Sequence, residues 1–171
     1  MPFELALTKS IYLLFNNLGL TPFWQVITEF YVLLCIGFLL LAIRQRHWIL
    51  IAFYGASIVI GFGLKELITL IYFRARPYVI LNLDIKANIT PNAFYSTHTF
   101  IAFISALFIF FLTKNKWIRI VTIALATLIG FSRLALAQHY LSDVLAGLLV
   151  ALIIYLITKI ILEKYQKIQK V

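Results

Sequence analysis

Residues 117–162 read WIRIVTIALATLIGFSRLALAQHYLSDVLAGLLVALIIYLITKIIL. Two apolar runs, Trp117 to Ala137 and Leu141 to Leu162, are separated only by Gln138, His139 and Tyr140. Each run is close to the ~20 residues a helix needs to cross a hydrocarbon core. Backbone surrounded by lipid must satisfy its own hydrogen bonds, so both runs are expected to be helices joined by a short turn. Arg133, His139 and Asp143 crowd that turn. Ionisable groups at such a depth are costly and mark function by default.

Working outward, three more apolar runs extend from Phe23 to Ile43, Trp48 to Tyr72 and Thr99 to Leu112. Pro2 to Leu20 is weaker because it carries Glu4, Lys9, Asn16 and Asn17. It reads either as an amphipathic helix in the interface or as a short sixth span. The expected fold is an all-α, polytopic transmembrane helix bundle with five clear spans plus that N-terminal helix. Residues 1–171 are expected to form one membrane-embedded domain.

Composition agrees. The chain has 171 residues, 63% apolar and 12% charged, against ~45–50% and ~25% in soluble domains. A soluble globule and a disordered tail are excluded, and a single Cys excludes a disulfide scaffold. No cleavable signal is expected in residues 1–20, which lack a basic n-region and a small-residue cleavage site.

Lys+Arg is 15 against 6 Asp+Glu, a formal charge of +9. Most of these bases lie in short breaks, so nucleic acid is not an expected partner. Arg44, Arg46 and His47 form one cluster, Lys114, Lys116 and Arg119 a second, and Lys159, Lys164, Lys167 and Lys170 a third. Five spans put all three on one side, expected to be cytoplasmic. The other side receives Phe73–Tyr95 and the Gln138–Tyr140 turn. Lys86 and the glycosylation-like triplet Asn88-Ile89-Thr90 fall in its long segment and are read as a solvated lysine and a chance match. Gly55, Ser57, Gly61 and Gly63, with Ala146, Gly147 and Ala151, are read as close-packing faces between helices.

Three clusters share the outer side. Arg74-Ala75-Arg76-Pro77 follows the Trp48–Tyr72 run, and paired guanidiniums suit a phosphate. Tyr95-Ser96-Thr97-His98 opens the Thr99–Leu112 run, where a helix N-terminus favours an anion. Ser96 is a candidate N-cap and hydroxyl donor, and His98 a candidate proton donor. Ser132-Arg133, His139 and Asp143 form the third cluster. His139 and Asp143 are four apart and share a helical face. A carboxylate on one imidazole nitrogen leaves the other as nucleophile or base.

Together these clusters resemble the type 2 phosphatidic acid phosphatase family, membrane relatives of the vanadium-dependent haloperoxidases. That family's pattern is Lys, six residues, Arg-Pro; then Pro-Ser-Gly-His; then Ser-Arg, five residues, His, three residues, Asp. The third motif is intact here. In the second, Ser96 and His98 match, while Tyr95 replaces Pro and Thr97 replaces Gly. In the first, Arg76-Pro77 matches, but Thr69 stands where Lys is expected and Lys65 lies one turn earlier.

The resemblance implies a metal-free, cofactor-free phosphatase acting on a membrane lipid phosphate in two steps. It makes His139 the nucleophile that forms a phosphohistidine, Asp143 its orienting carboxylate, and His98 the acid that protonates the leaving oxygen. Arg76, Arg133, Ser96 and the backbone N–H of Thr97 would hold phosphoryl oxygens. Either Lys65 reaches the phosphate, or Thr69 serves there with Arg74 supplying charge. The family's substrates include undecaprenyl pyrophosphate, phosphatidylglycerol phosphate, lipid A 1-phosphate and phosphatidic acid. Small size and short loops suggest a bacterial cytoplasmic membrane, with the site facing outward. Rival readings are a lipid-to-lipid phosphotransferase, a non-catalytic phosphate binder and an anion channel.

Overall fold

The computed structural model describes residues 3–83 and 92–168. Lys86, the triplet at 88–90 and Lys170 lie outside the described residues, as does the side chain of Lys167. Among the described residues eight helices follow in order: α1 Phe3–Asn17, α2 Thr21–Glu29, α3 Tyr31–Arg44, α4 Trp48–Ile71, α5 Pro77–Ile80, α6 Thr97–Leu112, α7 Lys116–Ala135 and α8 Leu141–Ile168. Among the described residues the only extended pairing is an isolated bridge between Ala75 and Asn92.

Among the described residues four stretches are long and apolar enough to cross a membrane: Thr21–Arg44, Trp48–Ile71, Lys116–Ala135 and Leu141–Tyr165. The first is interrupted at Phe30, whose N–H bonds back to Ile27 at 3.1 Å and divides α2 from α3. The fifth expected span, α6, has 16 residues, about 24 Å of helix against a hydrocarbon core of ~30 Å.

Burial accounts for that short length. Phe100, Ala102, Ile104, Ala106 and Phe108 of α6 are almost wholly covered, and α6 packs against α3, α4, α7 and α8. A helix wrapped by others need not match the bilayer. Lipid tails are as apolar as Leu, so this core is held by close packing and helix–helix hydrogen bonds rather than by transfer from water. Phe38 and Tyr54 stack at 4.3 Å between centroids, and both meet Phe108 edge-on. Tyr54 and Ser105 share a 2.8 Å hydrogen bond, and Ser57 and Thr158 one of 3.3 Å.

The small-residue faces divide into two kinds. A Cβ on Gly61 would run into the Phe100 ring, and one on Gly147 would lie 2.6 Å from the Ser96 carbonyl. Gly55 and Gly63 have nothing within 4 Å. Close approach therefore explains Gly61 and Gly147 and not the other two.

Helix α1 packs against α5, α7 and α8. Leu5, near its start, packs with Ala93 and Tyr140. Phe15, near its end, packs with Trp24, Phe131 and Leu136. Both sets of partners lie at the end of the bundle where α7 finishes and α8 begins. α1 thus lies across that end, while Phe3, Leu14 and Leu18 remain exposed. At 15 residues α1 is not among the stretches long and apolar enough to cross a membrane.

Candidate active site

The turn after α7 is made by Arg133. Its carbonyl accepts the N–H groups of Gln138 at 3.0 Å and His139 at 3.2 Å. Ala137 takes a left-handed φ of 51° to close the loop, a position where Gly is usual. Its carbonyl accepts the N–H of Tyr78, 3.0 Å away on α5. The turn therefore locks the α5 segment, and with it Arg76, beside His139.

One guanidinium nitrogen of Arg76 lies 3.1 Å from His139 Nε2 and 3.1 Å from the Gln138 carbonyl. Arg76, Arg133, His139 and Asp143 are all buried. Because an arginine N–H can only donate, Nε2 is the acceptor and the ring proton sits on Nδ1. Nδ1 faces Asp143 Oδ2 at 3.7 Å, beyond hydrogen-bond length. Burial, then the charges of Arg133, Arg76 and Lys65, hold His139 well below the ordinary imidazole range.

Asp143 is occupied elsewhere. Oδ2 accepts the Tyr140 N–H at 2.9 Å, and Oδ1 accepts Arg74 at 2.9 Å. Arg74 also donates to Ser142 Oγ at 2.6 Å and Glu4 Oε2 at 2.6 Å, and its guanidinium lies 3.8 Å over the Tyr140 ring. Arg74, expected to meet phosphate, is thus engaged behind Asp143, on the side away from His139 Nε2.

Ser96 caps α6: its Oγ accepts from Thr99 N at 3.4 Å and Thr99 Oγ1 at 2.9 Å. Its N–H donates to the Asp143 carbonyl at 3.1 Å, tying the start of α6 to the start of α8. Thr97 and His98 occupy the first turn of α6, where helix N–H groups have no intrahelical partner. His98 stacks edge-on against Tyr31 at 4.9 Å, and the cations Arg133 and Arg76 act on it. Arg133 donates to Thr28 Oγ1 at 2.5 Å, while its Nε has no hydrogen bond within the described residues.

The two candidates for the first motif part company. Lys65 Nζ donates to the carbonyls of Tyr95 at 2.7 Å and Phe94 at 3.3 Å. Gly61, one turn earlier on α4, accepts the Tyr95 hydroxyl at 2.5 Å. Thr69 Oγ1 instead accepts from Asn92 Nδ2 at 3.3 Å. Six residues separate Lys65 from the end of α4, about 9 Å of helix. The start of α6 lies at that depth, so Lys65 is level with it and Thr69 sits above.

The structure thus brings His139, Asp143, His98, Arg76, Arg133, Ser96, Thr97 and Lys65 to one end of the bundle. Sequence reasoning missed Asn92, Thr28 and Glu4 as parts of this end. Asn92 clamps it: its Oδ1 accepts the N–H groups of Arg74 and Phe94, and its Nδ2 donates to the Tyr72 carbonyl at 2.7 Å. Burial of the Asn92 side chain was the missing signal, and sequence spacing does not carry it. Among the described residues no three His, Cys, Asp or Glu side chains group to hold a metal.

Residues 46–167 match the PAP2 superfamily. The chain is 34% identical over 149 residues to the undecaprenyl-diphosphatase BcrC of Bacillus subtilis strain 168, across 81% of this chain and 73% of that protein. Its fold matches the crystal structure of a PAP2 type phosphatidylglycerolphosphate phosphatase from Bacillus subtilis with a TM-score of 0.73. That match covers 94% of this chain and 85% of the other at 23% identity, a likeness of fold. Apolar helices of spanning length, an intact third motif and a match over more than half the sequence agree: the chain is an integral membrane member of the PAP2 superfamily.

Proposed function

We propose that the chain is a lipid-phosphate phosphatase that crosses the bacterial cytoplasmic membrane five times as a single domain, α6 included, and hydrolyses a lipid diphosphate or monophosphate outside it. The observation that carries this reading is the approach of Arg76 to His139 Nε2 at 3.1 Å, with Arg133 and His98 close enough to interact electrostatically with that ring. Phosphoryl transfer needs in-line placement and compensation of spread negative charge. Arg76, Arg133 and Lys65 supply that charge, and the first-turn N–H groups of α6 add to it.

In the first step Nε2 of His139 attacks phosphorus, and the bond from phosphorus to the leaving oxygen breaks. His98 gives that oxygen a proton. In the second step His98 takes a proton from water, whose oxygen attacks the phosphohistidine. Inorganic phosphate leaves and Nε2 is regenerated. Asp143 orients the imidazole and offsets the positive charge that develops on it. Arg133 Nε, buried and without a hydrogen bond among the described residues, suits a phosphoryl oxygen. Arg74 holds Asp143 rather than phosphate.

Similarity to the Bacillus enzyme named for undecaprenyl diphosphate puts that lipid first among substrates, with phosphatidylglycerol phosphate second. The test is phosphate release by detergent-solubilised protein from a panel of single lipid phosphates, with His139→Ala as control. Release from undecaprenyl diphosphate that vanishes in the variant supports the reading. Transfer to a lipid acceptor without free phosphate would make the chain a phosphotransferase. Chelators are expected to leave the rate unchanged, since the proposed charge compensation is made by side chains; loss of activity in EDTA would contradict it.

A further inference from the structure

Glu4 stands at the other end of the chain from the third motif, yet its carboxylate is bound to it. Oε1 accepts the backbone N–H of Ser142 at 2.9 Å, and Oε2 accepts Ser142 Oγ at 3.0 Å and Arg74 at 2.6 Å. Burial would raise its pKa, but the hydrogen bonds from Arg74 and Ser142 hold it below the usual carboxylate range. Glu4 is therefore ionised throughout the neutral range. It also lies outside residues 46–167, the part that matches the superfamily.

We propose that Glu4 is a positioning residue of the active site: it holds Arg74 so that Asp143 remains directed at His139. Arg74 reaches both carboxylates, Glu4 at 2.6 Å and Asp143 at 2.9 Å. A guanidinium can engage a carboxylate through two parallel bonds. With Glu4 present, one of its NH2 groups goes to each partner. Without Glu4, the second NH2 group is released to pair with Asp143. Asp143 Oδ2 already lies 3.7 Å from His139 Nδ1, so any further pull toward Arg74 uncouples the imidazole. Glu4 also takes up the Ser142 N–H at the start of α8, a place where a carboxylate is favoured. The carboxylate of Glu4 bonds Arg74 and Ser142, and as an anion it would repel a phosphoryl group, so phosphate binding is not its task.

This inference rests on the phosphatase reading, and the experiment separates the two. Kinetics are measured on wild type, Glu4→Gln, Arg74→Met, the double variant and Lys9→Gln, the last removing an exposed charge from the same helix. Wild type that releases no phosphate from any lipid phosphate overturns the function and leaves Glu4 aside. Given an active wild type, Glu4→Gln is expected to lower kcat about tenfold, a loss in keeping with slight misplacement of a catalytic group, with KM within about twofold. Lys9→Gln leaves both unchanged. Because Glu4 acts through Arg74, the double variant is no slower than Arg74→Met alone, which is the non-additivity expected of coupled residues. An unchanged kcat, a rise in KM alone, or additive losses would overturn the proposal. Should Glu4→Gln aggregate in detergent, Glu4→Asp carries the test. It keeps the charge and shortens its reach, so a fall in kcat at constant KM supports the proposal and an unchanged kcat sinks it.

Discussion

The ring of His139 lies with Arg76 against Nε2 and Asp143 near Nδ1. That polarity sets the chemistry proposed for it, because a nucleophile needs a lone pair on the side facing the cations. Burial and the cations Arg133, Arg76 and Lys65 keep the ring neutral well below the ordinary value, which is about 6.5. Protonation would remove the nucleophile, so a lowered pKa moves the acid limb of activity to lower pH. After correction for substrate ionisation near pH ~6, kcat/KM should hold its plateau as pH falls through ~6.5. An acid limb centred at or above ~6.5 after that correction would contradict this. His139→Ala should cost at least about 10³-fold in kcat while the protein stays monodisperse in detergent. As the proposed acid, His98 serves the leaving oxygen, so its removal should matter most where that oxygen is least acidic. His98→Ala should therefore slow a lipid monophosphate more than a nitrophenyl phosphate; equal losses on both would end its role as the acid.

At the scale of elements, the break at Phe30 sets α2 and α3 so that each reaches the site once. Thr28 receives Arg133, and Tyr31 meets His98. Thr28→Val keeps the shape and removes the acceptor, leaving a buried guanidinium short of a partner, at a cost of about 1–3 kcal/mol. Activity should fall mainly through KM, since Arg133 is the proposed phosphate ligand; an unchanged KM would show that Arg133 is held by something else. Gly147 lets α8 approach the Ser96 carbonyl. Gly147→Ala should displace the start of α6, costing about 1–3 kcal/mol by overpacking and lowering the melting temperature, whereas Gly63→Ala should leave it within error. The sequence made the third motif readable because His139 and Asp143 are one turn apart and Arg133 precedes a short reversal. Local spacing was enough there. The choice between Lys65 and Thr69 was not readable, since it depends on how deep α6 starts relative to α4. Glu4 and Thr28 were not readable either, because their partners lie 138 and 105 positions away and no periodicity links them. The five apolar runs were legible as helices, but the burial that lets α6 be short belongs to packing.

On the scale of the whole molecule, charge and chemistry separate to opposite ends. The site gathers where α4 and α7 finish and α6 and α8 begin. Arg44, Arg46 and His47 join α3 to α4, Lys114 and Lys116 stand between α6 and α7, and Lys159 and Lys164 lie near the end of α8. The positive-inside rule would put those bases in the cytoplasm, as the outward-facing site proposed above requires. α1 lies across the site end with an exposed apolar face, which suits a helix resting in the outer interface. Sidedness can be measured directly, because the chain has one Cys. In a Cys35→Ala background, Lys9→Cys on α1 and Lys116→Cys at the start of α7 place one thiol at each end, both at exposed positions. A membrane-impermeant maleimide added to intact cells should label Lys9→Cys and spare Lys116→Cys until the membrane is opened. The reverse pattern would turn the site toward the cytoplasm, where its substrate would have to come from the inner leaflet, and the outward-facing phosphatase would be withdrawn.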